Sequence, residues 1–191
     1  MREVNRIEVM PGDVLILTHP LGAGILRVAA ERGRLTRDAF AAAMREQSPV
    51  AGASAESAMR RNGVRAAIQI GEAGLAGAAL EMAASGGITL IFEESDLPLF
   101  PEVLDFVREG IAASGGERNR ARFAPQVRIA EEVGDEMAVV FFDPQEAGGM
   151  LIAAAADEAV PLLAELQNSG YHDATIMGRI AARGKFAIEL V

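Results

Sequence analysis

The chain has 191 residues, half of them hydrophobic and only 5% aromatic, so alanine and branched aliphatic side chains must fill a sizeable core. Against 18 Lys and Arg stand 27 Asp and Glu; the net charge of −9 and the pI near 4.8 give a field that repels nucleic-acid phosphates. There is no cysteine, which excludes disulfides, thiolate metal sites and thiol nucleophiles.

Pro11-Gly12-Asp13 is turn chemistry, and Val14 to Leu17 after it reads as a buried strand that His19-Pro20 ends. Leu21 to Arg32 predicts a helix with Ile25, Leu26 and Ala29 inward and Gly33 as its stop. Thr36 is a good N-cap for a helix over 37–47, closed by Ser48-Pro49, and a third helix is expected from about Ser54 to Arg61. Val64 to Ile70 reads as a strand. The next helix has Leu75, Ala76, Ala79, Leu80 and Ala83 on its apolar face and stops at Gly86-Gly87. Ile88 to Phe92 is a strand, and Pro101 suits the first turn of a helix facing inward with Val103, Leu104, Val107 and Ile111. Ser114 to Ala124 is expected to be an exposed loop, and Val127–Ile129 and Met137–Phe142 could each be strand or short helix. Met150 to Ala154 is a strand, Glu158 to Gln167 a helix, and two last strands fall near Thr175–Ile180 and Phe186–Leu190. Alternation of this kind predicts a layered α/β domain. Met1 to Val9 has no apolar signal core, and no uncharged run approaches the roughly 18 residues that cross a bilayer. A cytoplasmic protein without membrane or nucleic-acid partners is expected.

The glycine-rich turns could carry chemistry. Pro20-Leu21-Gly22-Ala23-Gly24 joins a strand to a helix, where backbone N–H groups can face an anion, or where the glycines merely allow a tight turn. Gly71-Glu72-Ala73-Gly74 offers the same two readings, with a carboxylate that would repel phosphate. Asp143-Pro144-Gln145-Glu146-Ala147-Gly148-Gly149 leaves one apolar run and enters a strand through two glycines, which serves packing or a ligand. His19 and His172 are far apart and read as surface or loop histidines. Glu93-Glu94 and Glu131-Glu132 read as exposed pairs, and Arg118, Arg120 and Arg122 as a solvated patch.

Taken in order, these pieces resemble the C-terminal domain of selenophosphate synthetases (selenide, water dikinases). Pro11 to Leu26 resembles the segment that opens that domain, with His19 where the family has Lys and Ala23 where it has a hydroxyl residue. Ala66 to Met82 is similar to its Ala-Thr-Asp-Val-Thr-Gly-Phe-Gly stretch, keeping Gly74, Leu75, Gly77 and Leu80-Glu81-Met82. Gly115-Gly116-Glu117-Arg118-Asn119 resembles its glycine-pair loop, one residue shorter. Asp143-Pro144-Gln145 with Gly148-Gly149-Met150-Leu151 resembles Asp-Pro-Gln-Thr-Ser-Gly-Gly-Leu-Leu.

The resemblance implies a three-layer α/β/α domain with a mixed sheet, like the C-terminal domain of aminoimidazole ribonucleotide synthetase, occupying residues 1–191 without the N-terminal ATP-binding domain. In the family, ATP and magnesium lie between the two domains, which implies nucleotide- or phosphate-facing positions at Gly22, Gly24, Gln69, Gly71, Gly74, Asp143, Gln145, Gly148 and Gly149. The family's Thr-Asp is Ile68-Gln69 here and its Thr-Ser is Glu146-Ala147, so a magnesium-binding carboxylate becomes an amide, two hydroxyls are lost and no metal ligand is expected. A domain that is non-catalytic alone is one expectation. The alternatives are one half of a two-chain or truncated ATP-dependent phosphotransferase, and a small-ligand-binding or regulatory module. Expected partners are an N-terminal ATP-binding domain or chain and further copies of this chain, drawn together by a bare apolar face.

Overall fold

The computed structural model describes residues 8–46, 63–84, 87–145 and 149–191. The helix expected over 54–61, its Ser48-Pro49 neighbour, and Glu146, Ala147 and Gly148 lie outside the described residues. Seven strands form one sheet: β1 (Val14–Leu17), β2 (Val64–Gln69), β3 (Ile88–Phe92), β4 (Val127–Ile129), β5 (Met150–Ala154), β6 (Thr175–Ala182) and β7 (Ile188–Leu190), in the spatial order β2-β5-β1-β6-β3-β7-β4. Pairs from β2 to β3 are antiparallel, whereas β3–β7 and β7–β4 are parallel, so the sheet is mixed.

Alternation along the strands separates two cores. In β1, Leu15 and Leu17 face a large cluster while Ile16 faces a smaller one; in β5, Leu151 and Ala153 oppose Ile152 and Ala154 in the same way. Register shifts in β2 between Val64 and Ala66, and in β6 opposite Leu15 and Ile16, insert one extra residue each. The shift explains why Met177 and Ile180, three apart, both reach the large cluster.

That cluster is covered by α1 (Ala23–Glu31), α3 (Gly74–Ala83), α4 (Val103–Arg108), α5 (Ser114–Phe123) and α6 (Asp135–Phe142), with α2 (Arg37–Glu46) at its margin. Seven of the ten residues of α3 are buried, and four of those seven are alanine, so neighbouring backbones can approach it closely. On the opposite face α7 (Ala159–Asn168) packs Leu162 and Leu166 over Ile16 and Ile152. The three layers are therefore unequal. Beyond α7's reach the second face carries cross-strand ion pairs, Arg179–Glu93 and Arg128–Glu189, with Ile91 between them in register.

Two expectations need correction. Residues 114–123 form helix α5 and not a loop: burial of Phe123 outweighs the poor helix propensity of Gly115 and Gly116, with Glu117 and the Arg120 and Arg122 charges placed favourably along the helix dipole. The bare apolar face is also not found among the described residues, where Met10 and Val160 are the exposed large hydrophobics. Thr36 does cap α2, accepting from the Ala39 N–H at 3.1 Å. No helix among the described residues is long and apolar enough to cross a membrane.

Because Leu162 is fully buried in the smaller cluster, Leu162→Ala should cost about 2–5 kcal/mol of stability in urea denaturation. A loss under about 1 kcal/mol would show that α7 is not packed on the sheet as described.

Candidate functional site

β1 ends at Leu17, and Thr18-His19-Pro20 carries the chain over the sheet's end to the start of α1. Leu21 is held there by Leu99 in a parallel bridge and by its N–H to the Pro98 carbonyl at 2.8 Å. From the other side, α6 stops at Phe142 and delivers Asp143-Pro144-Gln145 to the same corner. Asp143 is 1% exposed and Gln145 7%.

The two segments, about 120 positions apart, close on each other. Gln145 Oε1 accepts from the N–H groups of Gly22 and Ala23, both at 3.2 Å. Asp143 Oδ2 accepts from Gly24 at 3.0 Å and Ile25 at 3.3 Å, and the Pro144 carbonyl also accepts from Gly24 at 3.1 Å. A helix leaves its first N–H groups without intrahelical partners, and here two distant side chains satisfy them in sequence. Gln145 Nε2 donates to the Asp143 carbonyl at 2.9 Å and to Oδ2 at 3.2 Å, which braces the pair. Gly24 is required by proximity, because a methyl group there would lie 2.6 Å from the Pro144 oxygen and 2.7 Å from Asp143 Oδ1.

The Gly71–Gly74 turn docks on the same segment. Gln145 N–H donates to the Gly71 carbonyl at 3.0 Å, and Gly74 adopts φ +68 with its Cα facing the Asp143 and Phe142 carbonyls, where a methyl group would sit 2.8 Å away. Asn119 of α5 ties both sides, donating Nδ2 to the Glu72 carbonyl at 2.8 Å and to the Phe142 carbonyl at 3.0 Å. Thus Gly22, Gly24, Gly71, Gly74, Asp143 and Gln145 are brought together. Gly149 is adjacent, packed on His19, with its carbonyl accepting from Ile70 N–H at 2.7 Å. Gln69 is set apart: it is exposed at the end of edge strand β2, paired with Met150, and Glu72 is also exposed. Gly148 and Glu146 lie outside the described residues.

His19, expected as a surface or loop histidine, does lie in the loop after β1 but is buried there, being 5% exposed. Its Nδ1 lies 2.7 Å from Thr18 Oγ1 and its ring meets Tyr171 edge-on, so hydrogen bonding and an aromatic neighbour make burial tolerable. Leu17, His19, Pro20, Leu21, Ile70, Gln145 and Gly149 line a depression with room for about one water molecule. Among the described residues, no three His, Asp or Glu side chains are grouped to hold a metal ion. Glu93 and Glu94 are engaged with Arg179 and the Gly134 N–H respectively.

Electrostatics at the corner centre on one carboxyl. Burial pushes Asp143 up from 3.8 to about 7, against the opposing pull of the Ile25 and Gly24 N–H groups, the Gln145 amide and the Arg27 charge. Among the described residues Oδ1 has no hydrogen-bond partner, so burial of that oxygen is offset only by the Arg27 charge. Such a group can cap, orient and exchange a proton near neutrality. Asn119 and Arg27 were not legible as members of this corner: an Asn within an arginine-rich stretch carries no sign that it will bridge two carbonyls.

Gly24→Ala should separate Asp143 from α1 and cost about 1–3 kcal/mol in thermal or urea unfolding; an unchanged midpoint would contradict the close approach. For Asp143, the raised folded value means that stability is greatest below the ordinary carboxyl range and falls as pH rises through it towards about 7. Asp143→Asn should flatten stability against pH between about 4 and 7; retention of the wild-type slope would assign it to other groups.

Comparison with known proteins places this geometry. Residues 10–191 match the family model described as AIR synthase related protein, C-terminal domain. The chain is 33% identical to the selenide, water dikinase of Caldanaerobacter subterraneus subsp. tengcongensis over 93% of its own length and 51% of the relative's. It is 34% identical to that of Nitratidesulfovibrio vulgaris, covering 84% of this chain and 47% of the relative. The chain thus spans about half the length of these relatives. Among solved structures, Escherichia coli HypE superposes with a TM-score of 0.62 at 20% identity, covering 96% of this chain and 48% of that one. Thiamine-monophosphate kinase from Stenotrophomonas maltophilia does so at 0.59 and 20%, covering 98% and 52%. These last two likenesses establish the fold alone. With the family model matched over nearly its whole length and the glycine turns folded onto Asp143-Pro144-Gln145, the chain belongs to the AIR synthase related family, as its C-terminal domain.

Proposed function

We propose that this chain works as the C-terminal half of a selenide, water dikinase-like phosphotransferase, and that it turns over no ATP until an N-terminal half completes the site. The observation that carries this reading is the closed corner: the N–H groups at the start of α1, a kind of donor set that suits phosphate, are taken by Asp143 and Gln145. Magnesium-ATP does not fit the described residues alone. Gln69 offers an amide where the resemblance implies a carboxylate, and Glu72 adds negative charge beside the turn. Phosphoryl transfer relies on positioning phosphates and cations between groups, and one wall of a cleft does not do this. The wall is cross-linked by hydrogen bonds between distant segments, which suits a domain that supports a partner's chemistry.

A selenide-dependent ATP-consumption assay tests the reading, run with this chain alone, with the N-terminal half of a selenide, water dikinase, and with both. Turnover is expected only in the mixture. Turnover by this chain alone would overturn the proposal, and none in the mixture would favour a binding or regulatory module.

A further inference from the structure

We propose that the second face of the sheet, over β6, β3, β7 and β4, is the surface on which two copies of this chain pair about a two-fold axis at Ile91. The proposal does not rest on the phosphotransferase reading.

On this face α7 packs on β1 and β6, while α3 reaches β3 and β7 from the opposite side, over the larger core. Ile91 of β3 is half-buried and belongs to neither core cluster. Arg179 and Arg128, which flank it, keep 57% and 48% of their side chains exposed. Among the described residues this part of the sheet therefore has no second helical layer. Its strands β3, β7 and β4 are paired in parallel, and parallel strands rarely leave one face open to water. A covering partner is called for.

The charges say which partner. Register sets one row across four strands: Arg179 of β6, Ile91 of β3, Glu189 of β7 and Arg128 of β4. Glu93 pairs with Arg179, and Arg128 with Glu189 at 3.0 Å. Two positive and two negative side chains cancel here, on a chain whose net charge is −9. Lys185 stands at the margin, on a turn that Thr89 holds by accepting from the Gly184 N–H at 2.9 Å. A partner strongly charged in one sense finds no complement on an alternating row, whereas a copy of the chain does. Neighbouring strands are evenly spaced, so a two-fold axis along β3 stacks Ile91 on its own copy. The same axis sets Arg179 of each chain against Glu189 of the other. Exposed ion pairs contribute little within a chain, so exchanging them across an interface costs little.

Analytical ultracentrifugation between about 1 and 100 µM should show the wild-type chain passing from monomer to dimer. R179E and E189R should each weaken the dimer about tenfold or more, because like charges then meet at both symmetric contacts. Mixed in equal amounts, the two variants should form a heterodimer, since each restores the opposite charge to the other. I91R, which brings two like charges together on the axis, should abolish pairing while the circular dichroism spectrum stays that of the wild type. Should either charge reversal not fold, I91R carries the test. A wild-type chain that stays monomeric, substitutions without effect on the dimer, or a mixture that fails to associate overturns the proposal. Binding of the N-terminal half of a selenide, water dikinase that these same substitutions abolish also overturns it, and assigns the face to that half.

Discussion

A carboxylate removed from water and set against the start of a helix is the interaction on which the corner depends. Asp143 and Gln145 satisfy the N–H groups of Gly22 to Ile25, and the same two residues, with Phe142, receive the Gly71–Gly74 turn. Losing an N-cap alone costs about 0.5–2 kcal/mol. Here the loss also strands buried donors and an uncompensated acid, so capping and packing cannot be separated. The arrangement joins the end of β1, the end of β2 and the end of α6 at one point. It thereby fixes how α1 and α3 stand relative to each other over the larger core.

Much of this was legible because the periodicities are clean. Val14 to Leu17 reads as a buried strand and the apolar face of α3 as helix, and Thr36 announces its helix by hydrogen-bonding chemistry that acts locally, whereas the split of Leu15 and Leu17 from Ile16 between two cores comes from the structure. Helix α5 was not legible, since its glycines and arginines disfavour or decorate a helix, and what decides the matter is Phe123 burying itself from its far end. The burial of His19 in its loop was missed for a similar reason: Thr18 is its neighbour, but Gly149 and Tyr171, which pack on the ring, lie more than 120 positions away.

The candidate site divides in the same manner. The glycine turns and Asp143-Pro144-Gln145 stand out in sequence as places of close backbone approach, and the structure brings them together. That the anion facing the glycine turn would come from within the chain could not be read, because a strand–turn–helix looks the same whether its N–H groups meet a phosphate or an aspartate. Gln69 and Glu72, by contrast, matter for what they do not supply. Both are exposed at the rim, and neither offers the paired carboxylate that a divalent cation demands.

The most direct measurement is a carbon-detected NMR titration of the Asp143 side-chain carboxyl, followed together with the backbone amides of Gly24 and Ile25. A midpoint near 7, with both amides shifting in concert, is the predicted result. A midpoint in the ordinary aspartate range, with the two amides unmoved, would contradict it and show that the carboxyl is hydrated and the helix start open.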